Sequence, residues 1–221
     1  MTSPLPAPHS ADAPVGEDWR TISEELLKGL VHALNNRVAS LSASVELARL
    51  GDDEEDPLTV LPEEIAHLQR VNALFALLPQ RKAAAESLEL RDVLDDAIRL
   101  HEHHPQLRGG QVALTFEGAP AVVRAPRWAL VRAMVMLVHA AKGDARSGRG
   151  GIDAAIRVSG DDATVSVHVS ARDAPSADLV ALAAQCGGVA VRTNDELVLT
   201  LPSLRELRRR EREGRGESPA G

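Results

Sequence analysis

The sequence is poor in aromatic residues and cysteine. Tyrosine is absent, and the four aromatic side chains among the 221 residues are Trp19, Phe75, Phe116 and Trp128. Leu, Val and Ala must therefore supply the core, which favours helices packed on a thin sheet over an aromatic-lined ligand barrel. The single cysteine, Cys186, excludes an internal disulfide and a cysteine-based zinc site.

Membrane-spanning and targeting patterns are also lacking. No apolar run approaches the ~18 residues of a transmembrane helix, and the N-terminus has no basic stretch followed by an apolar one. We therefore expect a cytoplasmic protein without a membrane partner. The 25 Lys and Arg residues are outnumbered by 32 Asp and Glu residues, giving a net charge of −7, which argues against a nucleic-acid partner.

Two amphipathic helices follow a start rich in Pro, Ala and Ser. Residues 1–17 have no hydrophobic periodicity, so we predict a disordered tail there. Over residues 18–80, apolar residues recur at spacings of three and four, first to about Leu50 and again from about Pro62 to Leu78, which predicts a helical hairpin. The core-facing stripe of the first helix is expected to be Leu27, Leu30, Leu34, Val38, Leu41, Val45 and Ala48. Because one hairpin cannot enclose a core, we expect a homodimer whose two hairpins form a four-helix bundle.

The pattern changes after a linker, over residues 88–203. It predicts helices at about 90–104, 126–142 and 176–186, separated by strands such as QVALTFEG and ATVSVHVS with period-two alternation. This mixture indicates an α+β sandwich, with helices on one face of a sheet. The last segment, 204–221, is densely charged, and we predict that it frays into solvent as a charged tail.

Two polar side chains are predicted on the face of the first helix opposite its stripe. At about 100° per residue, His32 falls roughly 160° from the centre of the stripe, and Asn36 about as far on the other side. Asn35 and Asn36 weaken a helix interior, so either the helix breaks here or something other than stability keeps these residues. Spacing alone leaves open a solvent-facing histidine of no consequence.

The segment GLVHALNNRVASLSASVEL resembles the phosphoacceptor helix of the two-component histidine kinases, in the branch whose H-box reads His-Asp/Glu-Leu-Asn-Asn. The resemblance implies that His32 carries a phosphoryl group on a ring nitrogen, which requires an exposed imidazole on a rigid helix. Asn36 matches a position where related kinases hold a polar side chain that orients water for phosphatase action. The family's order, a dimeric helical hairpin followed by an ATP-binding α+β domain, spans nearly the whole chain.

The chain departs from the family at the residues that handle ATP. Ala33 stands where the family has an acid that is thought to act as general base in autophosphorylation. In the helix LVRAMVMLVHAAKGDA, Met136 and Ala140 occupy the two positions expected for asparagines, and His139 is the polar residue nearby. The stretch SARDAPSADL has none of the glycines of the family's Asp-x-Gly-x-Gly motif, so even if Asp173 is taken as a displaced aspartate, the backbone cannot make the usual close approach. We therefore expect a degenerate ATPase domain that keeps its fold but binds no ATP, with Mg²⁺ entering only through a partner regulator.

The resemblance and its departures together predict a histidine phosphotransferase of a bacterial phosphorelay. Such a protein shuttles a phosphoryl group between the receiver domains of response regulators through His32, without ATP. Partner contacts are expected at Gly29, Asn36, Arg37 and Ser40, which flank His32. The alternative is a non-catalytic pseudokinase scaffold that binds a response regulator or a kinase. The missing acid and nucleotide motifs fit both, whereas the retained His32 and Asn36 favour phosphotransfer.

Two other motifs carry weaker signals. HEHH at 101–104 contains metal-ligand residue types but lies at a predicted helix end, so we expect a solvated terminus rather than a metal site. SGRGG at 147–151 lacks the Lys-Ser/Thr of a P-loop and precedes a strand, so we predict a flexible connection.

Overall fold

The computed structural model describes residues 17–50, 59, 61–78, 84–118, 121–147 and 153–214. The predicted tail at 1–17 lies outside these residues except for Glu17, and so does the segment 147–151 except for Ser147. In the part of the chain that is described, no helix combines the length and the apolar character needed to cross a membrane.

The first two helices pack as the predicted hairpin. α1 spans Trp19–Leu50 and α2 spans Leu61–Leu77. Pro62 lies in the first turn of α2, where its missing N–H leaves no helical bond unmade, and Glu63 and Glu64 lie at the positive end of the helix dipole. A side-chain pair joins the two helices, because Nη1 of Arg37 lies 3.2 Å from Oε1 of Glu64.

The predicted apolar stripe of α1 is divided between two faces. Leu30 is buried, but Leu27, Val38 and Val45 are 43%, 50% and 40% exposed. The fully buried residues of α1 are instead Ile22, Leu26 and Leu30, one turn apart. They lie about 100° around the helix from the exposed seam, because the N-terminal third of α1 packs on the α+β unit. The periodicity of α1 alone does not reveal this tertiary contact.

The rest of the described chain is an α+β unit, as predicted. Its main sheet has five strands in the order β2-β4-β5-β7-β6, with β2 and β4 parallel and the other pairs antiparallel. A separate antiparallel pair joins β1 to β3. The elements are β1 Glu86–Glu89, α3 Leu90–His101, β2 Val112–Gly118, β3 Val122–Ala125, α4 Arg127–Ser147, β4 Ala154–Gly160, β5 Thr164–Ser170, α5 Ala177–Gln185, β6 Val189–Thr193, β7 Glu196–Pro202 and α6 Leu204–Gly214.

The core lies between one face of this sheet and the helices. Alternate residues of β4 and β5 are buried, among them Ile156, Val158, Val165 and Val167, so each strand turns one side toward α4. α4 packs on this face of the sheet and is deeply buried, since every residue from Ala133 to Val138 is at most 4% exposed. Helices therefore cover one face of the sheet, as predicted.

Three segments differ from the prediction in their bounds or their structure. α3 ends at His101 rather than at residue 104, and β1 forms within the segment expected to be a linker. The charged segment expected to fray forms the helix α6 over Leu204–Gly214. Its start is capped, because the backbone N–H of Glu206 donates to Oγ of Ser203 at 3.1 Å, the arrangement that a Ser-x-x-Glu sequence favours.

Candidate functional site

His32 is exposed near the middle of α1. The helix continues without interruption through Asn35 and Asn36, which are also exposed. Nδ2 of Asn36 lies 3.3 Å from Nε2 of His32, one turn away on the same face. An amide nitrogen can only donate, so this contact leaves Nε2 as an acceptor and places the ring proton on Nδ1. In this tautomer the lone pair of Nε2 accepts from Asn36, and the ring lies on an exposed helix face.

The exposed surface beside His32 is small. Of the four expected partner contacts, Asn36 is exposed, whereas Gly29, Arg37 and Ser40 are half-buried. A Cβ added at Gly29 would overlap the backbone carbonyl of His103, so the glycine lets the segment after α3 approach α1 closely. The guanidinium of Arg37 is engaged by Glu64 of α2. These contacts leave the exposed surface around His32 mainly on its own helix turn and the next.

A cleft of about 340 Å³ lies between α4, the segment 171–176 and the start of α5. It is lined both by Met136 and Ala140 and by the segment from Ala171 to Ser176. The two stretches that depart from the nucleotide-binding motifs therefore meet in one place. Glu17 and Ile22 of the α1 end also line this cleft, and Ile22 is only 1% exposed.

The lining of the cleft combines carboxylates with apolar side chains. Its charged lining is Glu17, Asp144, Asp173 and Arg172. Nε of Arg172 lies 3.0 Å from Oδ1 of Asp144, so the guanidinium that lines the cleft among the described residues is already paired. The carboxylates repel a triphosphate. The Met136 and Ala140 side chains offer no oxygen ligand, which magnesium requires.

The segment HEHH is not the solvated helix end that we expected. His101 and His104 are 0% and 4% exposed, and with His139 of α4 they form a cluster of three rings whose centroids are 5.1–5.4 Å apart. Nε2 of His101 lies 3.2 Å from Nδ1 of His139, and Nε2 of His139 lies 3.2 Å from a carboxylate oxygen of Glu17. His139 is 38 residues from His101, so only the tertiary fold brings them together. A signal was present, since His139 interrupts an apolar run of a buried helix.

Burial dominates the electrostatics of this cluster. Desolvation lowers the pKa of His101 to about 2 and the pKa of His139 to about 4. The imidazoles are therefore neutral near pH 7 and act as packed, hydrogen-bonded groups. Within the described ranges, no group of three or more His, Cys, Asp or Glu side chains is arranged to hold a metal ion.

The beginning of α1 is tied to the α+β unit by contacts that the sequence did not predict. The backbone N–H of Trp19 donates to Oδ2 of Asp178 at 2.9 Å. The guanidinium of Arg132 lies 5.0 Å from the ring of Trp19 and 5.1 Å from that of Trp128. Arg132 also donates to the carbonyl of Leu78, at the end of α2. One arginine of α4 thus contacts both ends of the hairpin.

No protein-family model and no curated protein matches the sequence. Among solved structures, a bacterial phosphotransferase is 15% identical, with a TM-score of 0.40, over 86% of this chain and 99% of that one. A histidine kinase from Burkholderia phymatum is 16% identical, with a TM-score of 0.41, over 86% of this chain and 98% of that one. The ATP-binding domain of PrrB from Mycobacterium tuberculosis is 18% identical, with a TM-score of 0.41, over 55% of this chain and 98% of that one. At this level of similarity, function has to be inferred from the chain's own residues.

Proposed function

We propose that this protein is a histidine phosphotransferase, which carries a phosphoryl group between the receiver domains of response regulators on His32, without using ATP. The observation that carries the proposal is the exposed imidazole of His32, with Asn36 donating toward Nε2 from 3.3 Å, on the uninterrupted helix α1. The H-box resemblance of the surrounding sequence supplies the reaction class.

The proposed transfer is a direct displacement at phosphorus. The lone pair of Nε2 attacks the phosphorus atom of an aspartyl phosphate on the regulator. The bond from phosphorus to the aspartate oxygen breaks, and its electron pair stays on the released carboxylate. Because Nε2 carries no proton in this tautomer, no general base is needed, and Ala33 is compatible with the reaction.

Asn36 has a positioning role in this scheme. Its amide holds the ring in the Nδ1–H tautomer before a regulator arrives. As the nitrogen–phosphorus bond forms, that hydrogen bond has to be released, and a neutral bond of this length is worth about 1 kcal/mol. The released amide is then free to orient a phosphoryl oxygen or a water. Mg²⁺ is expected to arrive with the regulator's own acidic site.

The lining of the cleft favours a source of phosphate other than ATP. Glu17 adds a carboxylate to it, Arg172 is paired with Asp144, and Met136 and Ala140 supply no metal ligand. We expect isothermal calorimetry with ATP and Mg²⁺ to give no binding in the micromolar range. Micromolar affinity would contradict this part of the proposal.

A homodimer completes the proposed assembly. Leu27, Val31, Val38 and Val45 form an exposed seam on α1, with spacings of four and seven residues, and Ile65 of α2 is 49% exposed. Full burial of one such side chain is worth ~1.5–3 kcal/mol, so a seam of this length favours association with a second hairpin. The seam lies about 125° from His32 around the helix, so a four-helix bundle built on it leaves His32 accessible.

The pseudokinase scaffold remains the alternative, because the same cleft lining and Ala33 fit a protein that only binds a regulator. The two functions differ in one observable, the covalent state of His32. A scaffold forms the complex and never acquires a phosphoryl group.

The experiment that tests the proposal offers the purified dimer a set of phosphorylated receiver domains from the same genome. We expect an acid-labile, base-stable label on the wild type, abolished by His32→Gln and retained in His67→Gln, a half-buried histidine of α2. Receiver binding is measured in parallel by calorimetry. Binding without label in the wild type would favour the scaffold.

A further inference from the structure

The open face of the five-stranded sheet carries a second group of reactive side chains. Ser159 of β4, His168 of β5 and Glu196 of β7 lie on three adjacent strands, on the side opposite the buried Val158, Val167 and Leu197. Ser159, His168 and Glu196 are each half-buried, so they are reachable from solvent. They have no part in the phosphotransfer proposed above.

The three side chains are connected in the order nucleophile, base and carboxylate. Oγ of Ser159 lies 3.2 Å from Nε2 of His168, and Nδ1 of His168 lies 3.1 Å from Oε2 of Glu196. The carboxylate can only accept, so Nδ1 carries the ring proton. Nε2 is therefore an acceptor that faces the serine hydroxyl.

The carboxylate is itself held in place. Nη2 of Arg157 lies 3.2 Å from each of the two oxygens of Glu196. Although desolvation opposes it, hydrogen bonds from His168 and Arg157 keep the pKa of Glu196 below its usual range. Glu196 thus stays ionised at neutral pH and fixes the tautomer of His168, as the third member of a nucleophilic constellation does.

We propose that Ser159, His168 and Glu196 form a second reactive site, which cleaves small, activated carboxylic esters. Ser159 Oγ attacks the acyl carbon while its proton passes to Nε2 of His168. The bond from the acyl carbon to the leaving alcohol breaks, and the alcohol takes that proton. Water, deprotonated by His168, then releases the acid and restores Ser159.

The surroundings of Ser159 limit the substrates. β4 is bonded to a strand on each side, so its backbone N–H groups are not available to build an oxyanion hole, whose donors are worth about 10²–10³ in rate each. Only esters with a good leaving group, such as aryl esters, are then expected to react. Glu117 of β2 is the Cα partner of Ser159, and its carboxylate disfavours anionic substrates. The proposed substrates are therefore neutral or cationic aryl esters.

The sheet supplies a matched control. Ser166 of β5 is the direct cross-strand partner of Ser159, and its hydroxyl contacts Oγ1 of Thr200 at 3.1 Å rather than a histidine. It has the same chemistry, strand setting and half-burial as Ser159 but lacks the base. Ser159→Ala therefore removes the proposed nucleophile, whereas Ser166→Ala leaves Ser159, His168 and Glu196 in place.

The test measures hydrolysis of p-nitrophenyl acetate by the full chain and maps the site labelled by a fluorophosphonate. We expect Ser159→Ala and His168→Gln each to lower the rate by on the order of 10²-fold, with Ser166→Ala within about twofold of wild type. In the wild type, the fluorophosphonate should modify the peptide that contains Ser159, which keeps the proposal testable if a variant fails to fold. Absence of that adduct, or equal loss of rate in Ser159→Ala and Ser166→Ala, would overturn it.

Discussion

His32 and His139 lie on the two longest helices, and their surroundings differ in each respect that decides their chemistry. His32 is exposed, with the amide of Asn36 as its neighbour. His139 has a side chain only 12% exposed, between His101 and Glu17. Burial takes the pKa of His139 to about 4, so it stays neutral and packed. The residue type is the same, and the environment makes one a candidate nucleophile and the other a structural group.

The same difference extends to the helices themselves. α1 presents three faces, of which one packs on the α+β unit, one is an apolar seam and one carries His32 and Asn36. α4 is enclosed, and where it borders a cleft it offers Met136 and Ala140 rather than polar groups. In our account the chain keeps a phosphoacceptor surface on α1 and uses the α+β unit to hold that helix in place.

The largest expected effect is a difference in the free energy of unfolding between substitutions of two adjacent leucines of α1. Leu26 is 0% exposed and Leu27 is 43% exposed. Leu26→Ala should lower the free energy of unfolding by about 2–5 kcal/mol, since it opens a cavity in the core. Leu27→Ala should leave the unfolding of the single chain within ~1 kcal/mol and should act on association instead. Urea denaturation at low protein concentration checks this, and a larger loss at Leu27 would reverse our assignment of the faces.

Acid should destabilise the fold through the buried histidine His139. In the unfolded chain His139 titrates near its ordinary pKa of 6.5, and in the folded chain near 4. Between these values the unfolded state binds more protons, so the stability present above pH 6.5 is lost as pH falls toward 4, by on the order of 3 kcal/mol.

The measurement is the free energy of unfolding at a series of pH values in that window. His139→Gln should reduce the slope, and the part that remains is expected from His101, whose pKa burial lowers to about 2. Equal slopes in wild type and His139→Gln would show that His139 does not contribute to acid stability.

The fold was largely predictable because its elements have strong periodicity. Period-two alternation located β2 and β5, and the apolar run of α4 located the central helix. The histidine cluster was not predictable, since His101 and His139 meet only through packing of α3 on α4. The helix α6 was missed because composition was given more weight than the Ser203–Glu206 capping pattern. His32 and Asn36 could be placed on an exposed face from spacing, but the contacts of Gly29 and Arg37 required the tertiary structure.

A smaller effect is expected at the apolar seam. Val38 is 50% exposed in the single chain, and Val38→Glu places a carboxylate in each copy of the proposed dimer seam. An unpaired polar group buried there costs about 1–3 kcal/mol, so the dimer should dissociate while each chain keeps its circular dichroism spectrum. Light scattering checks the mass. Val180→Glu on α5, at 45% exposure, is the control and should remain associated.

The smallest effect should come from His32 itself. His32→Gln removes a side chain that lies in solvent, so the free energy of unfolding should change by less than ~0.5 kcal/mol. A matched thermal melt of wild type and His32→Gln tests this. A strongly destabilised variant would mean that His32 has a structural role like that of His139.

The source of the phosphoryl group tests the central claim most directly. One preparation of the protein is divided, and one half receives labelled ATP with Mg²⁺ while the other receives a labelled, phosphorylated receiver domain. Our account predicts label on His32 in the second half alone, since the carboxylates of the cleft repel a triphosphate and Met136 and Ala140 offer no metal ligand. Transfer from ATP to His32 would contradict it.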